Sequence, residues 1–196
     1  MISALSPAVR LLIVGAGLAL LTGCSTFSSK DPVPDCPAVS IVDDADRIIV
    51  YRPGAGRDLT DIAYEAHFVS YGGSCRYNDK IKEDKKPVRY GSVTLILQPA
   101  FLLVPGPATV DPNASLRYFV EVSDFFPKPE ARKEFTRTVA LPANRAALDV
   151  TDSDLEITVP LTEKRLGPDV RVYVGFVLTP EQLQENRRQP AGRLRN

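Results

Sequence analysis

The chain has 196 residues, with 24 Lys and Arg against 24 Asp and Glu, one His, three Cys and no Trp. A formal charge of zero gives no electrostatic basis for nucleic-acid binding as a main activity. One His and three Cys exclude zinc sites of the Cys/His type and leave a Ser-His-Asp enzyme without support.

Residues 1–24 read MISALSPAVRLLIVGAGLALLTGC, with Arg10 the only charge and an apolar run from Leu11 to Leu21. A run of about 11 residues is too short to cross roughly 30 Å of hydrocarbon as a helix, and it has the size of a signal-peptide core. It ends in Leu21-Thr22-Gly23-Cys24, which resembles the lipobox of bacterial lipoproteins. The resemblance implies a signal peptide over 1–23, cleavage before Cys24, a diacylglyceryl thioether on its sulfur and acylation of the new N-terminus. Each buried CH₂ adds about 0.8 kcal/mol and two or more chains anchor stably. An acylated Cys24 would therefore hold the chain on a membrane with no spanning helix. Ser25 follows, and in that class a Ser in place of Asp directs the protein to the outer membrane. The Ser-, Asp- and Pro-bearing stretch to Asp35 reads as a tether, so Cys24 and the tether occupy 24–35.

Two cysteines remain, Cys36 and Cys75. In an exported chain they are expected to form one structural disulfide, stabilising by about 4 kcal/mol on the chain-entropy account.

Beyond Cys36 the pattern is short alternating runs between Gly, Pro and Asp. Ile48–Tyr51 predicts a strand stopped by Pro53-Gly54. Ile62, Tyr64, Ala66 and Phe68 share one face of the next strand, with Glu65 and His67 on the other. Tyr71-Gly72-Gly73 reads as a turn, with Cys75-Arg76-Tyr77 as its hairpin partner. Further strands are expected around Val93–Leu97, Tyr118–Val122, Phe135–Leu141, Leu155–Leu161 and Val170–Leu178. Seven or eight strands over this length predict an all-β antiparallel β-sandwich, Ig-like in layer architecture, over residues 36–190; a closed barrel is the alternative. One short C-terminal helix is signalled by Thr179-Pro180-Glu181-Gln182, a capping box with Pro at N1. Residues 191–196 are expected to fray.

Candidate sites are few. In Arg52-Pro53-Gly54-Ala55-Gly56-Arg57-Asp58 two glycines allow close approach, and two guanidinium forks suit a carboxylate or phosphate. The same residues also read as an interstrand loop in which Arg57 pairs with Asp58 or Asp61. His67 is the general-base candidate, beside Glu65, and also reads as a solvent-facing strand residue. Asn78–Lys86 is a mixed-charge run expected to be a solvated loop. Asp149, Asp152 and Asp154 are oxygen-rich but lack a calcium-loop pattern. Phe101–Pro107 is either core strand or an exposed edge that seats a partner, which makes Leu103 a contact candidate beside Arg52 and Arg57.

The domain also resembles a group of alphaproteobacterial envelope lipoproteins to which no activity is assigned. The residues that carry this are Cys36-Pro37, the Arg52–Asp61 loop, Cys75, and Val174-Gly175-Phe176 through Arg187. The resemblance implies envelope location and brings no catalytic residues. Together these readings lead to a non-enzymatic, lipid-anchored binding or scaffold module of the outer membrane, facing the periplasm. It would need no cofactor and no metal, with the membrane and an envelope protein as partners. A carrier of lipid or another amphiphile in an apolar cavity is the alternative.

Overall fold

The alternating runs become nine strands in the computed structural model, which describes residues 33–54, 56–82, 89–125, 128–144 and 146–188. The expected leader 1–23, Cys24, the expected tether up to Pro32 and the 191–196 tail lie outside the described residues. In chain order the strands are β1 (Ala38–Ile41), β2 (Arg47–Tyr51), β3 (Ile62–Ile81), β4 (Arg89–Pro105), β5 (Asn113–Val122), β6 (Arg132–Ala140), β7 (Leu148–Thr151), β8 (Leu155–Pro160) and β9 (Arg171–Phe176). The helix α1 (Pro180–Arg188) follows. One sheet has the order β1-β9-β5-β6; the other runs β2-β3-β4, with β7 and β8 end to end on the far side of β4. Every pairing is antiparallel except β1 on β9. This is the all-β sandwich that the alternation predicts, with its short C-terminal helix.

The two sheets meet over an aromatic centre. Phe68 and Phe101 of one sheet pack edge to face at 4.9 Å, and Phe101 lies 5.2 Å from Tyr118 and 5.6 Å from Phe176 of the other. Val93, Leu95, Leu97, Leu116, Val170, Val172 and Val174 fill the space around these rings and are essentially inaccessible. One carboxylate enters the core: Tyr118 donates its hydroxyl to Asp152 at 2.7 Å, with Arg137 3.8 Å from the other carboxylate oxygen. Burial, then the hydrogen bond to Asp152, pushes the Tyr118 phenol well above its ordinary range. The aspartates that resembled a metal loop are thus divided, since Asp152 is turned inward to a tyrosine.

Several expectations are corrected. No turn forms at Gly72-Gly73: β3 runs through, pairing Gly73 with Leu97 and continuing to Ile81 opposite Arg89. Glycine is needed at 73 because a Cβ there would lie 2.9 Å from the Ile96 carbonyl. The change of alternation that suggested a turn is a bulge, with Phe68 opposite Phe101 but Ser70 opposite Ala100, so Val69 is the extra residue. The mixed-charge run is strand up to Ile81, and its residues 83–86 lie outside the described ones. β4 passes through Pro99 without breaking. Proline is tolerated there because Pro99 sits between the stretch paired with β7 and the stretch paired with β8, and its carbonyl still accepts from Asp152 N at 2.9 Å.

Leu103, expected as a contact candidate, is wholly buried on β4 opposite Ala66, itself inaccessible. Phe101–Pro105 is therefore core strand, with Gly106 and Pro107 in the turn that follows, and Leu103 is withdrawn as a partner-binding residue. The disulfide joins Cys36 to Cys75 across 39 positions, with Cα atoms 5.7 Å apart. It fastens the segment before β1 to the middle of β3.

Leu103→Ala is expected to lower stability by about 2–5 kcal/mol, the range for emptying a buried leucine site. Urea denaturation of the purified domain checks this; a loss below about 1 kcal/mol contradicts the core assignment.

Candidate functional site

The Arg52–Asp61 loop folds around Asp61. Its carboxylate, 5% exposed, takes Arg52 Nη2 at 2.6 Å, and its carbonyl takes Arg52 N at 2.9 Å. Asp58 caps the short helical turn at 59–61, accepting from Thr60 N at 2.8 Å and Thr60 Oγ1 at 2.6 Å. Those two bonds, the hydroxyl first, hold the Asp58 carboxyl below its usual range. Gly56 lies directly on the Asp61 carboxylate, where any Cβ would overlap it. The loop therefore carries its own anion. Arg52 is consumed by Asp61, and the expected pairing of Arg57 with Asp58 or Asp61 does not form.

Arg57 goes elsewhere. Its guanidinium carbon stands 5.2 Å from the centre of the Tyr51 ring. Among the described residues no carboxylate lies within salt-bridge distance of it. It lines a groove of about 580 Å³ between β2 and α1, whose walls include Ile49, Tyr51, Glu181, Gln182 and Asn186. Glu181 is held below the usual carboxylate range, first by its own helix-terminal amide, then by the Thr179 hydroxyl, and finally by Arg57.

The helix is placed by the capping box that the sequence shows. Gln182 N donates to Thr179 Oγ1 at 3.2 Å, and Thr179 N donates to Gln182 Oε1 at 2.9 Å. The same Gln182 reaches the outer edge of β2, giving its amide to the Ile49 carbonyl at 3.3 Å. One turn on, Asn186 gives its amide to the carbonyls of Arg47 at 2.7 Å and Asp44 at 2.9 Å. Alternate residues of an edge strand point the same way, so two side chains at i and i+4 of a helix serve carbonyls at i and i+2 of a strand. The helix thus occupies the edge on which a further strand would pair. Asn186 is 6% exposed and is the residue that sequence reasoning missed. A polar side chain four positions past the capping glutamine holds the helix.

His67 is corrected too. It is not solvent-facing, since its side chain is only 14% exposed and stands between Arg47 on β2 and Leu102 on β4. The expected pair with Glu65 is present at 3.6 Å, longer than an ordinary hydrogen bond, and His67 Nε2 is otherwise buried without a partner. Interaction with the His67 imidazole, ahead of the opposing effect of burial, holds the Glu65 carboxyl below its ordinary value of 4.5.

Of the sequence-derived site residues, the structure joins Cys36 to Cys75 and leaves Arg57 open to the groove. It commits Arg52 to the loop and buries Leu103. Cys24 lies outside the described residues. No protein-family model, curated protein or solved structure matches the chain.

Two outcomes follow from this geometry. Asn186→Ala strands two half-buried carbonyls and is expected to cost about 1–3 kcal/mol, while Gln184→Ala on the exposed face of α1 stays within about 0.5 kcal/mol of the parent. Urea melts of both variants check this, and equal stabilities rule out the edge cap. Because the folded Glu65 carboxyl is depressed, its contribution is complete above the ordinary value of 4.5 and is lost as pH falls through the folded value. The stability gap between parent and Glu65→Gln should therefore be widest at neutral pH and close in acid. A gap that widens in acid has the wrong sign.

Proposed function

We propose that this chain is a non-enzymatic, lipid-anchored binding module of the outer-membrane envelope, facing the periplasm, and that it meets a protein partner at the Arg57 groove. The observation that carries the reading is Arg57 itself: a guanidinium poised on Tyr51 at the rim of a groove of about 580 Å³, with no carboxylate among the described residues within salt-bridge distance and Glu181 felt only through its charge. A charged donor over an aromatic floor, with the apolar Ile49 beside it, suits a partner that brings a carboxylate and an apolar side chain together. The edge of β2 is covered by α1, so contact through side chains in the groove has more support than strand addition there.

The anchor rests on the Leu21-Thr22-Gly23-Cys24 motif behind its apolar run, and the outer-membrane address on Ser25. The Cys36–Cys75 bridge supports an oxidising compartment. The interior is filled by Phe68, Phe101, Tyr118 and Phe176, and this packing gives the amphiphile-carrier reading no support.

A photo-crosslinking residue at position 184, an exposed groove residue that leaves Arg57 in place, is expected in the intact lipoprotein, in cells, to give a discrete protein adduct that Arg57→Ala weakens. Cys24→Ser is expected to move the chain from the membrane to the soluble fraction. A chain that stays membrane-bound without Cys24, or a position 184 whose adduct is missing or indifferent to Arg57→Ala, sinks the corresponding half of the reading.

A further inference from the structure

The chain enters the sandwich at one particular end. Tyr77 donates its hydroxyl to the Asp35 carbonyl at 2.5 Å, Tyr71 donates to the Val39 carbonyl at 2.8 Å, and Cys75 is bonded to Cys36. The incoming segment is therefore fixed to the second half of β3. The Arg57 groove belongs to the first half, because Tyr51 pairs with Ile62. At about 3.3 Å per residue, Ile62 and Tyr77 are roughly 50 Å apart along the strand.

The Tyr77 end exposes aliphatic side chains. Val33 is 65% accessible and precedes the Asp35 that Tyr77 holds. Leu166 is 48% accessible and precedes Gly167, which lies against the Tyr77 hydroxyl so closely that a Cβ would overlap it. Ile81 is 42% accessible at the last register position of β3, opposite Arg89, and Arg89 reaches Glu163 of the Leu166 loop at 2.7 Å. Lys82 and Lys164 are exposed beside Ile81 and Leu166. Residues 24–33 can span at most about 30 Å when fully extended.

We propose that this end of the domain, through Ile81, Leu166 and Val33 with Lys82 and Lys164 at its rim, rests on the phospholipid bilayer that holds the acylated Cys24. The inference depends on the anchored reading above and adds an orientation to it. Tethering on so short a chain raises the effective concentration of this end at the bilayer to the millimolar range, so three partly exposed aliphatic side chains suffice for contact without strong affinity of their own. The lysines match phospholipid head groups while the aliphatic chains enter the head-group boundary. The Arg57 groove is then carried away from the membrane, towards the partner.

The chain contains no Trp, so Ile81→Trp and Leu166→Trp each install a single fluorescent reporter. The purified lipidated protein is reconstituted into vesicles of phosphatidylethanolamine and phosphatidylglycerol containing brominated acyl chains. Both reporters are expected to shift to the blue and lose about half their emission to the bromines, as shallow insertion requires. Val110→Trp serves as the distant control: Val110 is 83% exposed in the loop where Ala108 N bonds the Ile62 carbonyl, and it should remain unquenched. Adding Ile81→Asp to Leu166→Trp is expected to relieve the quenching while the vesicles still retain the protein. Vesicle-bound protein with reporters 81 and 166 unquenched, or with 110 quenched equally, overturns the orientation alone. Protein that fails to float with the vesicles overturns the anchoring and the orientation with it.

Discussion

One extra residue in β3 sets the geometry of the whole domain. Up to Phe68 the even positions face the core; past the bulge at Val69 the odd positions take over that side of the sheet, placing exposed Tyr71 and Gly73 and half-buried Cys75 and Tyr77 opposite Pro99, Leu97, Leu95 and Val93. Side chains alternate strictly along a strand, so without that insertion Cys75 would point away from the incoming segment and out of reach of Cys36. The disulfide, the Tyr71 and Tyr77 bonds to the Val39 and Asp35 carbonyls, and the register of β3 on the upper half of β4 all follow from the same slip.

That feature also marks the limit of what the sequence discloses. The alternation of Ile62, Tyr64, Ala66 and Phe68 is plain, and so is its loss at Val69-Ser70-Tyr71. A bulge and a turn produce the same break in period, and two glycines favour the turn on local grounds. Only the long facing strand β4, itself disguised by Pro99, decides between them. The short strands β1 and β7 carry four residues each, too few to show a period. Arg57 was legible as a donor in a glycine-bearing loop, whereas the fate of Arg52 depended on how the chain folds back on Asp61. Asn186 was illegible because a buried amide in a polar helix looks like any other surface residue until its strand is found.

The helix illustrates how a polar segment can be integral to a β-sandwich. Its apolar content is slight, and its attachment relies on hydrogen bonds that a neighbouring strand would otherwise make. Gln182 has two tasks, capping its own helix through Oε1 and serving the β2 edge through Nε2. Loss of one interaction therefore loosens the other, which ties the groove's shape to the integrity of the helix start. The same dependence explains why the groove is lined by polar groups yet remains defined in position.

The one parallel pairing has a temporal consequence. Among the described residues β1, the first strand of the domain, has β9, the last, as its one strand partner. As the polypeptide is made, β1 has no sheet partner until the final strand of the sandwich has emerged, whereas Cys75 becomes available after less than half of the chain. The covalent link can thus park the leading segment beside β3 while the remaining strands assemble, shortening the search that its belated partner would otherwise face.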